Sequence, residues 1–77
     1  MNVQEQANKA LKEVFGNEAL IEVIDERGDG RHYLVTVASS IFKGKNRLEQ
    51  SRLVYGALSD LMKKDHMHAV RLELKTL

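Results

Sequence analysis

The stretch HAVRLELK (68–75) decides the fold of this chain of 77 residues. From Val70 to Lys75 its apolar and charged side chains alternate strictly, and successive side chains of an extended strand point to opposite faces. The apolar set, which would share one face, consists of Val70, Leu72 and Leu74. A strand of this pattern packs one face on a core and exposes the other to water. The sequence therefore predicts a half-buried strand over 68–75.

Two further strands are predicted upstream, joined by a turn. ALIEVIDE (19–26) is rich in β-branched residues, and HYLVTVAS (32–39) places Tyr33, Val35 and Val37 on one face. The intervening RGDGRH contains two glycines that can adopt positive φ, as tight turns require. We therefore expect an antiparallel hairpin.

Amphipathic patterns predict two helices. The first begins at Asn2, with Glu5 at capping-box spacing, and stops at Gly16. Its apolar residues recur at helical spacing: Val3, Ala7, Ala10, Leu11, Val14 and Phe15. The second helix is predicted over 47–64. Its inner side is expected to contain Leu48, Val54, Tyr55, Leu58, Leu61 and Met62.

The segment between the second and third strands determines how the sheet is assembled. Ser39 or Ser40 can cap a short helical turn that ends at Gly44. The 28 residues between Ser39 and His68 are long enough for a right-handed crossover, so the third strand could run parallel to the second. If those strands are neighbours, His32 and His68 open them at the same end of the sheet. The order αββααβ predicts an α/β (α+β) fold of two layers, a three-stranded mixed sheet with helices on one face.

Composition and charge narrow the class of protein. With 43% hydrophobic and 30% charged residues the sequence is that of an ordinary globular protein, and we interpret residues 1–77 as one domain. The chain has no cysteine and no apolar run near the roughly 18 residues of a membrane span, so we expect no membrane association and a cytoplasmic location. Residues 1–29 carry a net charge of −4 (three basic, seven acidic), and residues 30–77 carry +5 (nine basic, four acidic). This asymmetry can attract a nucleic acid or an acidic partner, although a solvated charged surface is the simpler interpretation.

No catalytic constellation is visible. A serine nucleophile needs a histidine base, and Ser51 falls mid-helix with nothing to place a histidine beside it. The glycines of RGDGRH have neither the spacing nor the following helix of a phosphate-binding loop. We therefore expect a protein that is not an enzyme.

The three histidines, His32, His66 and His68, are the candidate metal ligands. In an extended strand His66 and His68 would project to the same side. Two or three imidazoles cannot alone complete a tetrahedral structural site, so a metal centre here requires ligands from another molecule. On spacing alone the simpler interpretation is that all three are polar residues at strand starts.

Four motifs together resemble the BolA-like family: GDGRHY, FKG, RLVYGAL and HMHAVRLELKT. They fall in the order and spacing of that family from Gly28 to Thr76, and the first helix fits the family's N-terminal helix. The similarity is nearest to the short bacterial IbaG-type branch, whose turn also reads Gly-Asp-Gly-x-His. The resemblance implies a class II KH-like fold, in agreement with the element order.

The resemblance also implies a function. Family members partner with monothiol glutaredoxins, and the pair can share a glutathione-bound [2Fe-2S] cluster, with roles in iron homeostasis and cluster delivery. The glutaredoxin cysteine and the glutathione thiol would supply sulfur. This chain would supply His68 of the C-terminal His-Ala motif and His32 of the hairpin loop, with His66 a lesser candidate. Mixed cysteine and histidine ligation occurs in such clusters and raises their reduction potential.

A nucleic-acid-binding stress regulator is the alternative function. It would use the KH-like fold and the basic residues Lys43, Lys45, Arg47 and Arg52. Many family members carry Arg-His just before the last of these arginines, where this chain has Gln50 and Ser51, and this departure weakens a DNA-binding interpretation. A third hypothesis is a stress-response interaction module that binds glutaredoxin without any role for the histidines.

Overall fold

The computed structural model describes residues 2–64 and 66–77 and confirms the predicted element order. The elements are α1 (Val3–Phe15), β1 (Leu20–Asp25), β2 (His32–Ser39), a 3-10 helix (Ser40–Phe42), α2 (Arg47–Lys63) and β3 (Ala69–Thr76). The boundaries of α1, α2 and the three strands lie within one residue of their predicted positions, whereas the 3-10 helix ends at Phe42, two residues before Gly44. The last strand begins at Ala69, so that His68 immediately precedes it.

The sheet has the strand order β1-β2-β3. Strand β1 is antiparallel to β2, and β2 is parallel to β3, so that Val35 of the central strand lies between Val23 and Leu72. The predicted mixed sheet and the crossover that returns parallel to β2 are therefore confirmed. His32 is in register with Ala69, which places the starts of β2 and β3 at the same end of the sheet.

Side chains cap the start of each helical segment. The Asn2 side chain accepts a hydrogen bond from the Glu5 backbone N–H at 2.8 Å. In α2 the same exchange is reciprocal, because Asn46 accepts from the Glu49 N–H at 2.8 Å while the Glu49 carboxylate accepts from the Asn46 N–H at 3.0 Å. Ser39 caps the 3-10 helix through its hydroxyl oxygen. These bonds satisfy backbone donors that the first turn leaves without partners, and so fix where each helix begins.

The core lies between the sheet and the two helices, which cover one of its faces. Its fully buried members are Ala7, Leu11, Val35, Val37, Phe42, Val54 and Leu58. The ring of Phe42 packs edge-on against that of Phe15, with centroids 5.2 Å apart and an interplanar angle of 65°. This contact packs the 3-10 helix of the crossover against α1.

Three apolar residues that the helical pattern placed inward are on the surface. Leu48 is 59% exposed, Val14 45% and Tyr55 40%. The buried stripe of α2 instead follows Val54, Leu58 and Leu61, supplemented by the half-buried Leu53 and Ala57. Tyr55 lies one residue, or about 100°, away from Val54 around the helix. Leu48 lies in the first turn of α2 and is seven residues from Tyr55, so both occupy the same outer stripe.

None of the helices in the described ranges 2–64 and 66–77 is long and apolar enough to cross a membrane.

Replacing Phe42 by alanine is expected to lower the free energy of unfolding by about 3–5 kcal/mol, because it leaves a cavity at a fully buried ring. The whole stability of a small domain is about 5–15 kcal/mol, so urea unfolding followed by circular dichroism should detect the loss easily. The matched control is Leu48→Ala, at an exposed site, with an expected change of about 0.5 kcal/mol or less. A change below about 1 kcal/mol for Phe42→Ala would contradict the packing described above.

Candidate functional site

The turn between β1 and β2 is held by two aspartates. Asp25 Oδ2 accepts the Gly30 N–H at 2.8 Å, and Asp29 Oδ1 accepts the N–H groups of Arg31 at 2.9 Å and His32 at 3.3 Å. Gly30 has a φ of 72°, a backbone conformation that side chains with a Cβ disfavour. The RGDGRH turn is therefore a closed, hydrogen-bonded loop that ends directly at the first residue of β2.

Asp29 also orients the imidazole of His32. Its Oδ2 lies 2.9 Å from His32 Nδ1, so that the two carboxylate oxygens bind the backbone and the ring of the same residue. A carboxylate at Nδ1 favours the tautomer that carries its proton there and leaves Nε2 as the acceptor. Histidines that bind metals generally have such a carboxylate or carbonyl partner on the other ring nitrogen.

The ionised form of Asp29 maintains this arrangement. The Arg31 backbone N–H, with smaller contributions from His32, holds the pKa of the Asp29 carboxyl below its usual value. A lowered carboxyl pKa stabilises the folded turn at pH values above the unfolded-state pKa, and this contribution is lost as the pH falls through the folded-state pKa. The contribution of ionised Asp29 to the turn is therefore present at neutral pH and is lost in acid.

His32 and His68 meet at one end of the sheet. Their ring centroids are 6.3 Å apart and the rings are inclined by 78°. The His32 side chain is 29% exposed and His68 is exposed. The expectation that the two histidines share an end of the sheet is confirmed, and it follows from the parallel register that sets His32 opposite Ala69.

Two buried side chains, each next in sequence to one histidine of the pair, hold the backbone there in place. Tyr33 is 4% exposed and its hydroxyl donates to the Gly30 carbonyl at 3.0 Å. Burial, reinforced by the charges of Asp25 and Asp29, raises the Tyr33 pKa, so the phenol remains a protonated donor. Met67, 1% exposed, anchors the backbone immediately before His68.

His66 lies in the connection between α2 and β3. Its backbone N–H donates to the Leu61 carbonyl at 2.9 Å and so helps to end α2. Its side chain is exposed and makes no ring contact with His32. Because β3 begins only at Ala69, the period-two argument that put His66 and His68 on one side of a strand does not apply.

The donor set fits a metal centre that is shared with another molecule. Across residues 2–64 and 66–77, no group of three or more His, Cys, Asp or Glu side chains could hold a metal ion. The pair of imidazoles therefore offers at most two ligands, and the chain contains no cysteine to supply sulfur. Two imidazole nitrogen donors at an exposed edge would suit a cluster whose other ligands come from another molecule.

The family model described as BolA-like protein matches residues 6–77. The chain belongs to the BolA-like family. Acid stress protein IbaG from Escherichia coli strain K12 is 28% identical over 69 residues, which cover 90% of this chain and 82% of the relative.

Solved BolA-like structures agree with the fold. BolA1 from Arabidopsis thaliana superposes with a TM-score of 0.81 at 26% identity, over 99% of this chain and 93% of that one. A BolA protein homologue from Coxiella burnetii is 33% identical with a TM-score of 0.66, over 95% of this chain and 83% of that one. These similarities confirm the family resemblance of the four sequence motifs.

The four basic residues considered for nucleic-acid binding lie toward the other end of the sheet. Strand β2 runs for about 25 Å from His32 to Ser39, and α2 starts beyond that far end. The loop before α2 is closed by Gln50, whose side-chain amide donates to the carbonyls of Lys45 at 2.8 Å and Phe42 at 3.3 Å. Gln50, noted above as a departure from the family pattern, thus has a structural role. The basic set on this loop and the start of α2 is Lys43, Lys45, Arg47 and Arg52.

Two surface depressions are relevant to the site. A cleft of about 370 Å³ adjoins His32 and is bounded by Tyr33, Ala69 and the ion pair of Arg71 with Glu26. A larger depression of about 780 Å³ runs along α1 toward Val23 and contains no histidine. We place the site beside the smaller cleft because His32 lines it, together with Ala69, the residue after His68.

Asp29 is the functional residue that the sequence analysis missed. The signal was present in GDGRH, because an aspartate two or three residues before a turn's end commonly accepts hydrogen bonds from the following backbone. Its contact with the His32 ring required the turn geometry to be known.

Replacing Asp29 by asparagine should reduce the fraction of His32 that carries its proton on Nδ1, because the charged acceptor at 2.9 Å is lost. Long-range ¹H–¹⁵N correlation spectra of the imidazoles at a pH where the rings are neutral would measure this fraction. Glu26→Gln is the matched control, since the Glu26 side chain binds Arg71 and the backbone N–H through which Glu26 donates to the His32 carbonyl is unchanged by the substitution. An unchanged His32 tautomer in Asp29→Asn would contradict the positioning role.

Proposed function

We propose that this BolA-like protein is a non-enzymatic adaptor that binds a monothiol glutaredoxin and co-ligates or transfers a glutathione-bound [2Fe-2S] cluster. The observation that carries this proposal is the His32–His68 pair, with ring centroids 6.3 Å apart at the exposed starts of adjacent strands. His32 would bind through Nε2, because its Nδ1 faces Asp29. The relative named as an acid stress protein supports a role in a stress response.

The chemistry of the pair explains why a partner is needed. A [2Fe-2S] cluster takes four protein or thiol ligands, and two of them can be histidines. This chain contains no cysteine, so the sulfur ligands would come from the glutaredoxin cysteine and from glutathione bound to it. Neutral imidazoles in place of thiolates reduce the negative charge on the cluster and raise its reduction potential. Because an imidazole binds metal only when deprotonated, cluster retention would weaken as the pH falls.

Replacing His68 by alanine should change the visible absorption and the electron paramagnetic resonance spectrum of a cluster reconstituted with a monothiol glutaredoxin and glutathione. His32→Ala should do the same, and each is expected to lower cluster retention about 10–100-fold, as loss of a metal-site residue typically does. The matched control is His66→Ala, whose side chain makes no ring contact with His32 and whose complex should resemble the wild type.

Three outcomes separate the hypotheses. If both His32→Ala and His68→Ala leave the spectra unchanged while the glutaredoxin still binds, the protein is an interaction module without a metal role. No complex with the glutaredoxin would reject the adaptor function altogether. A spectrum altered by His66→Ala and not by His32→Ala would reassign the second ligand.

Nucleic-acid binding remains an alternative prediction, favoured by the position of the basic residues on one loop and helix start. If it is correct, duplex DNA affinity should fall by about 10²-fold between roughly 50 and 200 mM salt, because the four basic residues would neutralise about four phosphates. Exchanging Lys43, Lys45 and Arg52 for glutamine should abolish binding, whereas His68→Ala, about 25 Å away along β2, should not affect it. Fluorescence anisotropy with a labelled duplex at two salt concentrations would measure both. Binding that is insensitive to salt and to these substitutions would exclude this function.

A further inference from the structure

The two edges of the sheet are protected very differently. At the β1 edge, helix α1 packs alongside, and the Gln4 side-chain amide donates to the Val23 carbonyl at 3.1 Å. At the β3 edge, no hydrogen bond reaches the outer backbone groups from any residue in the ranges 2–64 and 66–77. Strand β3 is eight residues long, contains no proline, and pairs with β2 in an unbroken register without a bulge. Of the common devices that prevent an edge strand from pairing with another chain, β3 has only charged side chains, and it lacks proline, a bulge, a short length and a covering segment among the described residues.

The register determines which backbone groups of β3 face outward. The Ala69 N–H donates to the Arg31 carbonyl at 2.9 Å, and the Leu77 N–H donates to the Ser39 carbonyl at 3.2 Å. In a parallel pair alternate residues bond to the neighbouring strand, so the odd-numbered residues of β3 face β2. The even-numbered residues therefore present their N–H and C=O groups at the free edge: Val70, Leu72, Leu74 and Thr76.

The side chains of this edge are also incompletely covered. In the central strand Val35 and Val37 are fully buried. Their neighbours on the same face of β3 remain only half-buried although they pack against the core: Val70, Leu72 and Leu74. An added strand would bury this apolar row and satisfy the outward backbone groups together.

We propose that the β3 edge pairs with the β3 edge of a second copy of this chain, antiparallel and centred on Leu72. The charged side chains on the face of β3 that the helices leave uncovered favour a second copy as the partner and favour this register. With Leu72 opposite its own copy, Arg71 of each chain lies directly opposite Glu73 of the other. These are non-hydrogen-bonded positions, where the side chains of facing strands approach most closely.

The same register also brings together the apolar side chains of the core-facing side and pairs the outward backbone groups of β3. Val70 lies opposite Leu74 of the other copy, and Leu72 lies opposite itself, so six half-buried apolar side chains become adjacent. All of these positions carry outward backbone groups, which gives about six intermolecular hydrogen bonds. Arg71 already binds Glu26 through Nε and one Nη at 3.1 and 3.0 Å, and its second Nη remains for the partner's Glu73.

Other registers are less favourable. Centring on Glu73 places like charges together, because Glu73 then faces itself and Arg71 faces Lys75. Centring on Leu74 pairs Glu73 with Lys75 but sets Leu72 opposite the polar Thr76. Only the arrangement centred on Leu72 aligns opposite charges on one face and apolar side chains on the other throughout.

The first test is amide hydrogen exchange of the full chain, followed by NMR at micromolar and millimolar protein concentrations. The amides of Leu72 and Leu74 should gain protection with concentration, whereas those of Arg71 and Glu73, already bonded to β2, should change little. Sedimentation equilibrium over the same range should show conversion of the 8.8 kDa chain to a dimer. A chain that stays monomeric at millimolar concentration, with no alternation in protection, would overturn the proposal.

Charge exchange tests the register. Arg71→Glu or Glu73→Arg alone places like charges opposite each other twice and should raise the dimer dissociation constant about tenfold, whereas the double exchange should restore it. Lys75→Glu is the matched control on the same strand, because Lys75 faces the uncharged Ala69 and the dissociation constant should stay within about twofold. If Lys75→Glu weakens the dimer and Arg71→Glu does not, the register is centred on Leu74 and this proposal is wrong. Thermal unfolding of each variant would verify that it is folded.

Discussion

The parallel pairing of β2 with β3 is the constraint on which the rest of this structure depends. The hairpin supplies β2 with a partner on one side, and the crossover through the 3-10 helix and α2 returns the chain to the other side in the same direction. A right-handed crossover of this kind lays its helix on one face of the sheet, where α2 joins α1 over the core. The same parallel direction brings the beginnings of both strands to one end and sets His32 opposite Ala69. The histidine pair is therefore a consequence of topology.

The turn before β2 also fixes the orientation of the His32 ring at this site. Asp29 uses one carboxylate oxygen to hold the backbone of the turn and the other to hold the His32 ring, so the fold of the loop and the orientation of the imidazole are coupled. The Tyr33 hydroxyl donates a hydrogen bond to the Gly30 carbonyl and so also stabilises the loop. Because ionised Asp29 is stabilised by backbone donors, the ring is oriented before any ligand arrives, which lowers the ordering cost of binding.

Three separate surface regions of this BolA-like domain can be distinguished. The His32–His68 pair lies at one end of the sheet, and the unpaired β3 edge runs along its side. The loop before α2 that contains Lys43 and Lys45 and is closed by Gln50, here called the cationic loop, lies at the other end. A partner that supplies sulfur to the first region would leave the cationic loop uncovered. Pairing of two β3 edges would place the histidine pairs of the two copies at opposite ends of one continuous sheet.

By itself, the sequence determined the type and order of every element, because hydrophobic periodicity and capping residues act over a few neighbouring positions. It also indicated His32 and His68 as candidates, through the family motifs that contain them. Only the tertiary structure decided that β3 is parallel to β2 and that the two rings are 6.3 Å apart. It alone showed that Leu48 and Tyr55 face outward, that Asp29 holds His32, and that β3 has an open edge. The physical reason is that periodicity specifies which faces of an element are apolar, whereas distances between residues far apart in the chain depend on how the crossover packs those faces together.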